Sequence, residues 1–327
     1  MIISKSPFRV SFAGGGSDLA TFYRKDYGAV VSSSIDKYVY LALHRFFEDR
    51  YLLKYARTES VATVDEIQHP LIRECLKITR CQEFLEITSF ADIPASGSGL
   101  GSSSAFCVGL INAITAFQRN LAGKEFLAAK ACEVEIERMG EPIGKQDQYA
   151  SAYGGLNYIR FNADDSVQVT PILLSKGERA SLDASLLMFY TGITRKASSV
   201  LAEQNQNLES DSDKYDSMCR IRDGADRLAS ALADGNLNAI GHEMNQGWEL
   251  KKTMARGISS PELDGIYTEA MAAGALGGKL LGAGGGGFFL FYCPPEKQPG
   301  LLAALSRLRQ VPIELDREGS RIIFVED

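Results

Sequence analysis

The sequence predicts an α+β protein made of two packed halves, and three observations predict it. At 327 residues the chain is longer than one hydrophobic core usually serves. Strand-like segments crowd its first third, whereas its second half reads mainly as helix. The two kinds of segment do not alternate as β-α-β units, which argues against a doubly wound parallel sheet.

Taken in order, Phe8 to Phe12 alternates apolar and polar residues and predicts a strand running into Gly14-Gly15-Gly16. Val30-Val31 and Tyr38 to Leu43 predict further strands. Glu83 to Phe90 predicts another, with Phe84, Leu85 and Ile87 as its apolar set. A loop of small residues, Pro94 to Ser104, opens directly into an apolar helix over residues 103–118. Lys124 to Met139 predicts a second helix stopped by Gly140, and Gln146 to Tyr153 a short one closed by Gly154-Gly155. Leu156 to Phe161 returns to strand. Polar turns at Asn162 to Asp165 and Ser175 to Glu178 place a boundary near 162–184, giving domains of 1–180 and 181–327. Helices follow over 197–208, 214–234, 236–255 and 261–274. Gly277 to Leu281 then leads to Gly282-Ala283-Gly284-Gly285-Gly286-Gly287 and the strand Phe288 to Tyr292, before a helix at 300–309 and a strand at 321–325.

Charge excludes several functions. A formal net charge of −6, without any run of basic residues, argues against nucleic acid and anionic membrane as partners. The six cysteines form no C-x-x-C pair, and Cys107 and Cys132 fall inside apolar helical stretches. They read as reduced core residues of a cytoplasmic protein. His44, His69 and His242 lack metal-ligand spacing. The N-terminus carries no secretory pattern, and the apolar stretch Ala105 to Phe117 is too short to span a bilayer.

The loop before the 103–118 helix carries the strongest chemical signal. Three glycines and five serines crowd into residues 96–104. Glycines let backbone N–H groups converge on an oxygen cluster, and the helix N-terminus adds unpaired donors and the positive end of its dipole. A flexible loop with a serine cap is the plainer reading; the density of small residues favours phosphate. The loop is not a Walker A sequence, because no G-x-x-x-x-G-K-[ST] occurs. Gly282, Gly284 and Gly287 fit G-x-G-x-x-G, but the strand after them reads instead as a tight strand connection, where glycine lets a backbone or a ligand approach.

Three segments together resemble the GHMP kinase superfamily: Pro7 to Asp18 with its Ala13-Gly14-Gly15-Gly16-Ser17-Asp18 core, Pro94 to Ala105, and Lys279 to Phe288. They occur in the family's order and span most of the chain. Within it, the first motif and Gly144 to Gly155 are most similar to the D-glycero-D-manno-heptose 7-phosphate kinases, which phosphorylate an anomeric hydroxyl. Fucose- and mannose-type anomeric kinases share much of the pattern. The resemblance implies a GHMP kinase-like two-domain α+β fold with the active site between the halves. It also implies ATP and Mg2+ as cofactors, a sugar phosphate as substrate, and a monomer or homodimer. A silent family member that binds sugar and nucleotide is the rival; the retained Asp147, Arg9, Glu137 and serine loop favour an enzyme.

The resemblance also assigns residues. Pro94, Gly97, Gly99, Leu100, Gly101, Ser102, Ser103 and Ser104 would cradle the ATP phosphates. Asp147 falls where the family's catalytic aspartate lies, and would accept or orient the sugar hydroxyl proton; an aspartate in a helix's first turn also complements the dipole. Arg9 would sit beside Asp147 or stabilise the transferred phosphoryl group, although its strand position equally allows it to face solvent. Ser103 and Glu137 would hold magnesium, with Glu133 in reserve on the same helix face. Gly16, Ser17 and Asp18 would contact the sugar, with Asp18 as a helix N-cap the competing reading. Apart from the resemblance, Arg195, Lys196 and Ser198, with Ser199, could hold the sugar's phosphate at a helix N-terminus unless they form a solvated basic turn, with Lys251, Lys252 and Arg256 next in line. Gly284 and Gly285 would complete the substrate site.

Overall fold

The computed structural model describes residues 1–93, 97–193 and 197–326. Pro94, Arg195 and Lys196, three of the anticipated site residues, lie outside them. The larger sheet runs β12 (Arg321–Val325), β1 (Ile2–Ala13), β2 (Tyr27–Arg45), β5 (Leu85–Ala91), β3 (Tyr51–Lys54) and β4 (Thr58–Val61). From β2 it also branches to β6 (Leu156–Asn162) and β7 (Val167–Pro171). The smaller sheet runs β11 (Arg309–Val311), β8 (Leu186–Tyr190), β10 (Phe288–Tyr292) and β9 (Gly277–Leu280). The last strand thus returns to the first, with Val325 opposite Ile2.

Helices cover the sheets in two groups. The first comprises α1 (Ala20–Tyr23), α2 (Pro70–Ile78), α3 (Ser102–Phe117), α4 (Lys124–Cys132) and α5 (Gln146–Tyr153). The second comprises α6 (Lys176–Ser185), α7 (Ala197–Ser210), α8 (Ser212–Ala233), α9 (Ala239–Lys252), α10 (Pro261–Ala272) and α11 (Gln298–Ala304). Leu41, Leu43, Leu53 and Ile87 on one face of the larger sheet pack with Val108, Ile111 and Ile114 of α3 and Leu127 of α4. Phe8, Val10 and Phe12 face the other way, onto Leu228 and Leu232 of α8, Met244 of α9 and Leu290 of β10. Strand alternation divides β10 between cores: Phe288, Leu290 and Tyr292 join that cluster, while Phe289 and Phe291 meet Trp248 and Tyr267. Because α3 lies between layers, it is apolar almost all round.

Several expectations change. Val30-Val31 and Tyr38 to Leu43 belong to the single strand β2, continuous because Ser32, Ser33 and Ser34 are buried between neighbouring strands. Ser175 to Glu178 is not a polar turn but the start of α6, where Ser175 and Glu178 cap one another reciprocally. The helix from Lys124 widens into a π turn over Glu133–Arg138, with Met139 N–H donating to the Val134 carbonyl at 3.0 Å. The glycine run 282–287 does connect two strands, β9 and β10. No described helix is long and apolar enough to cross a membrane.

Candidate active site

Strand β1 places Arg9 on the face opposite Phe8 and Val10. A register shift between Pro7 and Arg9 interrupts its pairing with β2. At that point the Arg9 N–H donates to the Leu100 carbonyl at 3.1 Å, tying the strand to the serine-rich loop. The side chain does not face solvent and is only 4% exposed. Its Nε donates to Asp147 Oδ1 at 2.7 Å and its Nη2 to Oδ2 at 2.8 Å, while Nη1 donates to the Gly99 carbonyl at 2.6 Å. A planar guanidinium thus fixes both carboxylate oxygens and the loop together.

Gly101 caps α3 in the left-handed region, at φ 73°, and a Cβ there would crowd Asp147, lying 3.1 Å from Oδ2. The first helical bond runs from Ala105 N–H to the Gly101 carbonyl. Residues 102–104 therefore turn the first N–H groups of α3 toward the loop, beside the carboxylate. Ser103 is exposed at this end, whereas Ser102 and Ser104 are buried.

The carboxylate facing these serines is Glu135. Glu137 is exposed on the opposite side, and Glu133 pairs with Lys130 at 2.7 Å and Arg138 at 3.5 Å; neither reaches the loop. Glu135 is 2% exposed, hydrogen-bonded by Ser104 and Ser103, and accepts from Gln148 Nε2 at 2.6 Å. Burial pushes its carboxyl up to about 7, against the pull of those hydrogen bonds, and the charge of Asp147 adds to the rise. Among the described residues Glu135 has no cationic partner. A buried carboxylate beside hydroxyls is an oxygen donor set suited to a hard divalent cation.

Asp18 does not cap α1, whose N-cap is Leu19 without a side-chain bond. Its Oδ1 accepts from Gly16 N–H at 3.0 Å and its Oδ2 from Gln146 N–H at 3.1 Å. This bonds the first glycine motif to the start of α5, one residue from Asp147. Burial raises its carboxyl above the usual range. Ser17 is occupied within the turn: its hydroxyl reaches the Gly14 carbonyl at 2.8 Å and the Ala29 carbonyl at 2.9 Å and accepts from Ala29 N–H. Gly284 and Gly285 pack on Ile258, whose carbonyl accepts from Gly285 N–H at 2.9 Å, so they shape the loop. Ser198 is exposed in the first turn of α7.

Two lysines also enter the site, Lys251 from the reserve set for the anion pocket and Lys279 from the third motif. Lys251 of α9 donates to the Gly282 carbonyl at 2.6 Å, and Lys279 of β9 donates to Ser11 Oγ at 3.2 Å. Both are buried, at 7% and 5% exposure. Desolvation lowers Lys251 to about 8 and holds Lys279 well below its ordinary range. Gly282 lies directly against Gly99, so the third glycine motif touches the serine loop.

Comparison with known proteins accounts for this arrangement. Residues 69–155, which include the serine loop, Glu135 and Asp147, match the GHMP kinases N terminal domain. Residues 228–308, with Lys251, Lys279 and the third glycine motif, match the GHMP kinases C terminal domain. The chain belongs to the GHMP kinase family. As a GHMP kinase it is a phosphotransferase. It is 29% identical to D-glycero-alpha-D-manno-heptose 7-phosphate kinase of Campylobacter jejuni, over 94% of this chain and 93% of that one. It is 33% identical to a mevalonate kinase of Methanothermobacter thermautotrophicus over 68% of this chain and 69% of that one. The crystal structure of a D-glycero-D-manno-heptose 1-phosphate kinase from Bacteroides thetaiotaomicron shares the fold, with a TM-score of 0.80 and 24% identity over the whole of both chains.

Of the residues in this GHMP kinase that sequence reasoning passed over, Glu135 carried a readable signal. It lies four residues beyond Ala131 and continues the buried stripe of Leu127, Ala128 and Ala131. Lys279 stood between apolar neighbours on a strand. Lys251 is a reserve candidate for the anion pocket, beside Lys252, which is partly exposed.

Proposed function

We propose that this kinase transfers the γ-phosphoryl group of ATP to the anomeric hydroxyl of a sugar, and that the sugar is a heptose already carrying a 7-phosphate. The observation that carries the transfer chemistry is the Arg9–Asp147 pair set against Gly101 at the start of α3. It puts an oriented carboxylate where a hydroxyl nucleophile must meet a phosphate held by the loop. Asp147 accepts the hydroxyl proton as the sugar oxygen bonds to phosphorus and the bond from phosphorus to the ADP oxygen breaks. Arg9 keeps the carboxylate in position and places positive charge beside the transferring group. Asp18 retains lone pairs for sugar hydroxyls.

Ser103 and Glu135 are the residues that fit magnesium; when bound, the ion supplies charge neutralisation for the phosphates. A cavity of about 330 Å³ beside the loop, lined by Ile93, Ser98, Tyr190 and Phe288 among others, has room for the nucleoside. The heptose phosphate reading draws on the Campylobacter jejuni relative and on the excess of buried cations. The test is a substrate panel of heptose 7-phosphate, mannose, fucose and galactose, with phosphorus NMR of each product. A new anomeric phosphate on heptose 7-phosphate, formed with the highest kcat/KM, is expected. A free sugar with the higher kcat/KM overturns the heptose phosphate and leaves a fucokinase- or mannose-type activity.

A further inference from the structure

Three cations and two carboxylates meet in the buried corner between β1, α5, α9 and β9. Arg9 and Asp147 neutralise one another through two hydrogen bonds. Asp18 takes its hydrogen bonds from backbone N–H groups. Lys251 and Lys279 remain, and each donates only to a neutral oxygen. Among the described residues neither makes an ion pair. Burying an ammonium without a counter-ion is unfavourable by several kcal/mol, and two of them near Arg9 raise that cost further. Such a corner is suited to an arriving anion.

The free space lies over Gly15. A side-chain atom at its Cα would meet Lys279 Nζ at 3.6 Å, Ser11 Oγ at 3.6 Å and Gln146 Nε2 at 4.0 Å. Three potential donors from β9, β1 and α5 thus converge on a point that a methyl group would reach without a clash. Beside it stands Gln204, which is fully buried and finds no hydrogen-bond partner at either end of its amide. Its Nε2 is 2.7 Å from where a Gly16 Cβ would be. A buried amide with both ends unpaired is rare in a finished core.

We propose that Lys279, backed by Lys251, receives the phosphate that the sugar carries into the reaction, in the space above Gly15, and so sets the preference for a phosphorylated over a free sugar. This rests on the reading of the chain as a sugar phosphate kinase. The donors come from rigid strands and a helix, which suits a selectivity site. Asp18 offsets only part of the Lys279 charge, and the arriving anion supplies a counter-charge at hydrogen-bonding distance. A lysine serving the transferred phosphoryl group instead acts on every sugar alike.

The experiment compares kcat/KM for heptose 7-phosphate and for unphosphorylated heptose in the parent enzyme, Lys279→Met, Gly15→Ala and the double variant R195A/K196A. Gly15→Ala guards against misfolding: its new methyl makes ordinary contacts, and Gly15 does not require a left-handed backbone. From the loss of a charge-assisted hydrogen bond, the preference for the phosphorylated sugar should fall about 30-fold or more in Lys279→Met. It should fall in Gly15→Ala as well, mainly through KM for the sugar phosphate, with KM for ATP little changed. R195A/K196A should keep the parent's preference. Equal losses on both sugars in Lys279→Met and Gly15→Ala overturn the proposal, as does a preference lost only in R195A/K196A. A parent enzyme that prefers free heptose overturns the substrate reading and this inference with it. A parent that prefers the phosphorylated sugar, with variants that keep the preference, overturns this inference alone.

Discussion

The corner around Arg9 and Asp147 and the corner around Lys251 and Lys279 are close neighbours, close enough for Arg9 to lower both lysines, yet they are built in opposite ways. In the first, the guanidinium uses three donors on Asp147 and the Gly99 carbonyl. In the second, two lysines rest on neutral oxygens, and the Gln204 amide and Gln146 Oε1 have no partner among the described residues. A group that must do the same chemistry in every turnover is best held rigidly beforehand. A group that must recognise one ligand keeps its hydrogen-bonding capacity open until that ligand arrives. On the proposed function, the difference separates the part of the site that reacts from the part that selects.

The largest expected effect tests the reacting corner. Asp147→Asn should lower kcat by about 10²–10⁴-fold, the usual worth of a positioned base, while nucleotide still binds by calorimetry. Activity within a few-fold of the parent would remove Asp147 from proton transfer and erase the contrast. Next, Glu135→Gln should weaken the use of magnesium by about tenfold or more, whereas Glu137→Gln should stay within about twofold, as surface changes usually do. Equal behaviour of the two in a magnesium titration of turnover would contradict the inward role of Glu135.

A pH experiment sharpens the same point. The Glu135 carboxyl titrates near 7 when folded and at its ordinary, lower value when unfolded. The folded protein therefore holds a proton that the unfolded chain releases. Without metal, this group makes the fold less stable as pH rises from the ordinary carboxylate range to about 7, and contributes no further change above it. Magnesium needs the ionised form, so its protection against thermal unfolding should be larger at pH 8 than at pH 6. Glu135→Gln should flatten both trends; a parent protein whose melting shows no such metal–pH coupling would refute the assignment.

The smallest effect is expected in the selecting corner. Gln204→Leu removes an amide with no partner and should raise stability by about 1–3 kcal/mol, seen as a higher Tm. It should also raise KM for the sugar. A lower Tm with unchanged KM would show that Gln204 is a packing group, and would make the two corners alike.

The sequence made the corner around Arg9 and Asp147 legible and reached the other only through Lys251, held in reserve for an anion pocket. Phe8 to Phe12 announced β1 by its alternation, the Gly-Ser loop announced the start of α3, and Gln146 to Tyr153 was bounded as observed. Those elements obey local rules, so the residues they carry, Arg9 and Asp147, could be placed. Buried lysines break the rule that charge faces water, and Lys279 finds its place only because β9 meets β1 across 268 residues. Some misses were readable after all. The Ser175–Glu178 capping box marked α6, and the stripe through Ala131 pointed to Glu135. By contrast, α2 begins at Pro70 with His69 as its cap, a residue type that gives little warning of a helix start.

The return of β12 to β1 has a consequence for how the enzyme is made. Strand β1, which carries Arg9, leaves the ribosome well before its neighbour β12, with every other strand made in between. Until residues 321–325 emerge, one edge of β1 lacks its partner, and an uncovered edge invites pairing with other chains. Lys251 and Lys279 also arrive late. Synthesis therefore passes through a long interval in which Arg9 already exists but its strand is covered on one side only, and an edge left open that long favours pairing with other chains.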